Sequence, residues 1–122
     1  MKKFIAILLI LVFTLSLVSC KNAYTDAVEQ LEAMNFSGYF YTESQIKSMR
    51  KENKITENIT AFANFSSVDE EGNELVLFVA AFDTEEEAES YLADHTLGWK
   101  YAFATDNVVI YGNNSAINDL DL

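Results

Sequence analysis

From Leu75 to Phe82 the chain reads Leu-Val-Leu-Phe-Val-Ala-Ala-Phe, with no polar side chain between Glu74 and Asp83. A strand with one wet face alternates apolar and polar residues. An unbroken apolar run of this length, bounded by turn residues, reads as a central strand buried on both faces. Its neighbours in sequence supply a hairpin and a helix. On the amino-terminal side, Glu57 to Ser66 alternates, which puts Ile59, Ala61, Ala63 and Phe65 on one side of a strand and Thr60, Phe62, Asn64 and Ser66 on the other. Asp69-Glu70-Glu71-Gly72-Asn73 between them is a hairpin turn in which Gly and Asn are expected to take positive φ. On the carboxyl-terminal side, Thr84 with Glu87 three residues on caps a helix. Glu85, Glu86 and Glu87 complement its positive end, and Ala88, Tyr91, Leu92 and His95 form its inner stripe.

The remaining segments complete the order of elements. Ala23, Ala27, Leu31 and Met34 recur at helical spacing, and Asn35 is suited to the left-handed residue that ends the helix. Phe36 to Tyr41 is a turn into a brief strand. Thr42 and Gln45 make a capping box for a second helix over about Glu43 to Asn53. Trp99 to Ala104 is a strand, Asp106-Asn107 a two-residue turn, Val108 to Tyr111 the returning strand, and Asn114 or Ser115 the cap of a short last helix. Hairpins on both sides of the third helix predict an α+β fold, with a mainly antiparallel sheet of four to five strands and helices packed on it. The strand–helix–strand passage from Leu75 to Phe103 is compatible with a crossover of the ferredoxin-like kind.

The amino terminus gives an address. Lys2 and Lys3 precede an uncharged, apolar stretch from Phe4 to Val18, which closes on Leu17-Val18-Ser19-Cys20. A charged head, an apolar centre and small residues at the end are the parts of a secretory signal. The closing four residues resemble a bacterial lipobox. That resemblance implies recognition through Leu17, Val18 and Ser19, transfer of a diacylglycerol to the sulfur of Cys20, and removal of residues 1–19. Residues 20–22 would then be a lipidated tether and 23–122 a single domain on the extracytoplasmic face of the cell membrane. Two acyl chains give stable anchoring, each buried methylene contributing about 0.8 kcal/mol. The alternative is an uncleaved signal anchor, for which Phe4 to Cys20 sits near the lower limit of roughly 17–25 spanning residues. Both place the domain on the same side.

Without the leader, six basic residues face 19 acidic ones, a net charge of −13. Such a surface repels phosphate backbones, so nucleic acid is not an expected partner. Cys20 is the sole cysteine and His95 the sole histidine, too few for a zinc site, and no disulfide can form. Nucleophile-elbow and glycine-rich phosphate motifs are absent. No cofactor or metal is therefore expected. Asp69, Glu70, Glu71 and Glu74 do not follow the EF-hand spacing, since Gly72 is the fourth residue from Asp69.

Two groups of residues are candidate interaction surfaces. Lys47, Arg50, Lys51 and Lys54 follow i, i+3, i+4, i+7 and so share one helix face. They read either as a docking face for an acidic partner or lipid headgroups, or as the solvated side of an amphipathic helix, the simpler of the two. Trp99, Tyr101 and Phe103 alternate and are expected to share one sheet face, exposed as a stacking platform or buried beneath a helix. Burial, with Trp99 shielded, is the expectation.

From Leu75–Phe82, Glu85–Glu89, Tyr111-Gly112-Asn113 and Ala116-Ile117, residues 24–118 resemble small, mostly uncharacterised lipoproteins of low-GC Gram-positive bacteria. The resemblance implies no activity. The expected function is a non-enzymatic, membrane-anchored binding module for an envelope protein, a peptide or a small ligand. One rival is an inhibitor of an incoming enzyme, which needs a flat acidic or aromatic face. Another is a small hydrolase, which needs a cleft joining His95 to a carboxylate of perturbed pKa.

Overall fold

The computed structural model describes residues 22–122; Leu17, Val18, Ser19 and Cys20 lie outside them. In chain order the elements are α1 (Ala23–Ala33), β1 (Ser37–Phe40), α2 (Glu43–Asn53), β2 (Ile59–Val68), β3 (Glu74–Phe82), α3 (Glu85–His95), β4 (Tyr101–Thr105), β5 (Val108–Gly112) and a 3-10 turn (Ser115–Asp119). The strands form one sheet in the order β1-β2-β3-β5-β4. Every neighbouring pair is antiparallel. The fold is α+β.

The apolar run is the middle strand, as its composition requires. Leu77, Val79 and Ala81 face a core completed by Ala27 and Leu31 of α1, Phe65, Ile110 and Ile117. Phe82 and Ala80, with Phe78 beside them, face a second core completed by Ile46 of α2, Ala88 and Tyr91 of α3, and Tyr111. The sheet is thus a filling between α1 with the 3-10 turn on one side and α2 with α3 on the other. Antiparallel sheets often leave one face wet; here both are covered, and that is why β3 needs no polar residue.

The crossover from β3 through α3 to β4 has β5 inserted between its two strands. This split arrangement is confined to the second half of the chain. In the first half, β1 and β2, joined through α2, are direct antiparallel neighbours.

Local signals explain the element ends. Asn22 caps α1 by accepting the Thr25 N–H, and Asn35 is left-handed at φ 71° beyond its end. The Thr42–Gln45 capping box is complete in both directions. Thr84 Oγ1 accepts the Glu87 N–H at 3.1 Å. Gly72 alone supplies positive φ in the β2–β3 turn (87°). Asn73 acts instead through hydrogen bonds, donating its backbone and side-chain N–H groups to the Asp69 carboxylate. These bonds hold the Asp69 pKa below its ordinary value. In β2 the alternation predicted from Ile59 is broken by a register shift between Ile59 and Ala61. Ile59 therefore joins Phe62 on the α2/α3 side, while Ala61, Ala63 and Phe65 face α1.

Candidate functional site

Between α2 and α3, above the sheet, lies a cavity of about 340 Å³. Its floor comes from strand side chains of the α2/α3 face: Phe62 of β2, Phe78 of β3 and Tyr111 of β5. Phe78 sits directly across from Tyr111 in the ladder. The three rings are shingled, with centroids 5.8 Å apart at 30° for Phe62–Phe78 and 5.1 Å apart at 26° for Phe78–Tyr111. Two rings stand steeply to this floor. Tyr41 meets Phe62 at 4.8 Å and 70°, and Trp99 meets Phe78 at 5.4 Å and 65°. Met49 and Asn53 of α2 close one side, and Tyr91 and His95 of α3 the other.

The position of Trp99 overturns one expectation. Tyr101 and Phe103 pack toward α1 and the 3-10 turn, but Trp99 contacts Phe78 and Tyr111 on the opposite face. The reason is that β4 begins at Tyr101. The preceding residues turn, with the Trp99 N–H donated to the Thr96 carbonyl at 3.1 Å, so strand alternation does not extend back to Trp99. Nor is Trp99 fully shielded: it is 37% exposed, a wall with one side to solvent. Tyr101 and Phe103 are half-buried along an open groove of about 400 Å³ against Ile117 and Leu120, with the Lys100 ammonium 5.6 Å from the Tyr101 ring.

The basic stripe keeps Lys47, Arg50 and Lys51 on α2 at helical spacing but loses its last member. Lys54 is the left-handed cap of α2 (φ 55°), which lets the Ile55 N–H reach the Arg50 carbonyl at 2.9 Å and breaks the helical spacing. Arg50 donates to the Thr56 carbonyl at 3.1 Å and to Asn58 at 3.4 Å, so it clamps the α2–β2 connection. Lys47 and Lys51 remain as exposed cations on α2. The open cleft beside Lys47 and Arg50 also contains Glu43, so its charge is mixed.

Polar groups converge on the aromatic cavity. The Tyr91 and Tyr111 hydroxyls share a hydrogen bond at 2.7 Å, and both are buried. Burial raises the pKa of each phenol, and for Tyr111 the neighbouring Tyr91 and Tyr41 add to the rise, so these hydroxyls stay protonated. The His95 ring lies over Tyr91 at 5.0 Å. Behind it, His95 Nε2 is 3.4 Å from Oε1 of Glu57, a carboxylate only 5% exposed in the α2–β2 connection. Ser90 donates its hydroxyl to the other oxygen of Glu57. Burial pushes the Glu57 pKa up, but the Ser90 hydrogen bond, its own backbone N–H and the histidine outweigh it, and the net shift is downward.

His95 therefore lines the cavity and meets a carboxylate of perturbed pKa, but Glu57 lies behind it, outside the cavity lining, whereas a hydrolase would need both in one cleft. The order of the groups differs from a nucleophilic triad. There the histidine stands between hydroxyl and carboxylate and takes the hydroxyl proton. Here Glu57 stands between Ser90 and His95, and Ser90 spends its proton on Glu57. The arrangement fixes α3 to the α2–β2 connection and orients the His95 ring at the cavity wall.

Sequence patterns pointed to His95 and Tyr91 as one helix stripe but not to Glu57, Tyr41, Phe62, Phe78 or Tyr111 as their company. The available signal was strand parity: Phe78 and Phe82 of the apolar run, with Phe62, belong to one face once the register is known. Among the described residues, no group of three or more His, Cys, Asp or Glu is placed to share a metal, and no helix is long and apolar enough to cross a membrane. No protein-family model, curated protein or solved structure matches this chain.

Proposed function

We propose that the protein is a lipid-anchored extracytoplasmic binding module, without catalytic activity, that holds a small organic group in the aromatic cavity between α2 and α3. The carrying observation is the cavity itself: about 340 Å³, lined by Tyr41, Phe62, Phe78, Tyr91, Trp99 and Tyr111. Ligand sites are concave, mostly apolar, and carry a few placed polar groups; this one falls within the usual range of roughly 300–1,000 Å³. Packing alone does not call for leaving Trp99, the largest side chain, partly open to solvent beside it. The lipobox reading places this seat at the outer surface of the membrane, tethered through Cys20.

The test is a probe screen on the membrane-extracted protein. Benzyl alcohol, methyl glucoside and tetramethylammonium are titrated while amide and indole N–H shifts are followed. At least one probe is expected to move the Trp99 indole together with the amides of Phe78 and Tyr111 and to leave those of α1 in place. Shifts at none of these three residues with any probe at millimolar concentration would end the proposal.

A further inference from the structure

Resting on the reading of this cavity as a ligand seat, we infer that its occupant is an organic cation whose ammonium is wrapped in methyl groups. The first reason is ring placement. Phe62 and Tyr111 each lie within 30° of Phe78 along the floor, whereas Tyr41 and Trp99 rise from it at 60–70°. A compact guest thus meets π-systems from more than one direction. Aromatic faces carry negative charge density and attract cations, most strongly where water is excluded.

The second reason is the charge around the seat. No lysine or arginine lines it. The positive charge that His95 can carry is matched by Glu57 at 3.4 Å, so the pair adds no net positive charge to the wall. The domain as a whole carries −13 without its leader, a field that draws cations in and turns anions away.

The third reason is the shortage of free polar partners. A primary ammonium is strongly hydrated and would lose that water for few acceptors. A polyol would need several paired hydroxyls, yet the hydrogen bond between Tyr91 and Tyr111 already takes one of the two phenol protons. A methylated ammonium needs no hydrogen bonds and keeps its charge. Such a group occurs on free solutes and on lipid headgroups, and the same chemistry would recognise both.

The experiment compares tetramethylammonium with tert-butanol, a neutral guest of similar shape, by saturation transfer to the methyl protons of each in the presence of the full membrane-extracted protein. Tetramethylammonium is expected to bind about tenfold more tightly or better. Trp99→Leu, at the partly open wall, is expected to erase that preference; Tyr41→Leu serves as the second variant should the first not fold. Equal binding of the two guests, or a preference that survives the loss of either ring, would overturn the cation assignment while leaving the cavity a ligand seat. Binding of neither guest, with no other probe entering, would remove both. With the protein reconstituted into phosphatidylglycerol vesicles, a change in Trp99 emission when phosphatidylcholine is added identifies a headgroup as the source. Unchanged emission with free tetramethylammonium still bound identifies a solute. Either result supports the inference.

Discussion

Gly112→Ala is expected to prevent the domain from folding. Gly112 ends β5, opposite Leu77 of β3 and Tyr101 of β4. A Cβ placed there would lie 2.1 Å from the Val76 carbonyl oxygen and 2.9 Å from Leu77 Cα. Both are backbone atoms of the middle strand. Neither can withdraw without parting β3 from β5, and that ladder carries Phe78 against Tyr111 as well as the apolar pairs of both cores. Overpacking of side chains costs typically about 1–3 kcal/mol; a clash with immovable backbone is expected to cost about 4 kcal/mol or more, comparable to the whole stability of a small domain. Urea titration followed by circular dichroism checks it. Gly98→Ala is the control, because a Cβ there meets nothing within 4 Å, and its effect should stay within about 0.5 kcal/mol. A Gly112→Ala domain as stable as the control would contradict the register of the central strands.

The second large effect concerns the anchor. Cys20→Ala is expected to abolish lipidation and to leave the leader in place, because the lipobox reading makes the Cys20 sulfur the acceptor of the diacylglycerol and cleavage follows its transfer. The wild-type chain grown with labelled palmitate should carry the label and begin at Cys20. The variant should carry none and retain the mass of residues 1–19. The physical stake is the number of chains: one acyl chain holds marginally, two hold stably at about 0.8 kcal/mol per buried methylene. A wild-type polypeptide that begins at Met1 would return the segment to the uncleaved-anchor alternative, with the domain still outside.

The fold was legible where local chemistry leaves one choice. The run Leu75–Phe82 has no polar side chain to turn toward water, so a doubly covered middle strand was its natural place, and β3 occupies it. The Thr42–Gln45 and Thr84–Glu87 signals mark helix starts because their side chains satisfy N–H groups that no helix can satisfy internally. The two faces of the sheet were only partly legible, for two reasons of the same kind. Side-chain direction in a strand follows parity, and parity is lost wherever the ladder slips or the strand begins late. The slip between Ile59 and Ala61 moved Ile59 to the α2/α3 face, and the turn at 96–99 moved Trp99 there. The basic stripe was shortened for a related reason: the helix ends at Asn53, so Lys54, the residue that would complete the spacing, leaves helical geometry at φ 55°, and Arg50 is occupied by the backbone it clamps. Glu57 carries no sequence signal at all, since its meeting with Ser90 and His95 depends on how α3 lies against the α2–β2 connection.

Everything proposed for the cavity depends on Trp99 standing on the same side of the sheet as Phe78 and Tyr111. As the sole tryptophan, it has indole protons that can be assigned without ambiguity. Nuclear Overhauser spectra of the folded protein should show those protons close to the ring protons of Phe78 and Tyr111. Cross-peaks to Tyr101 and Phe103 in their place would put Trp99 on the opposite face and leave the cavity without its outer wall.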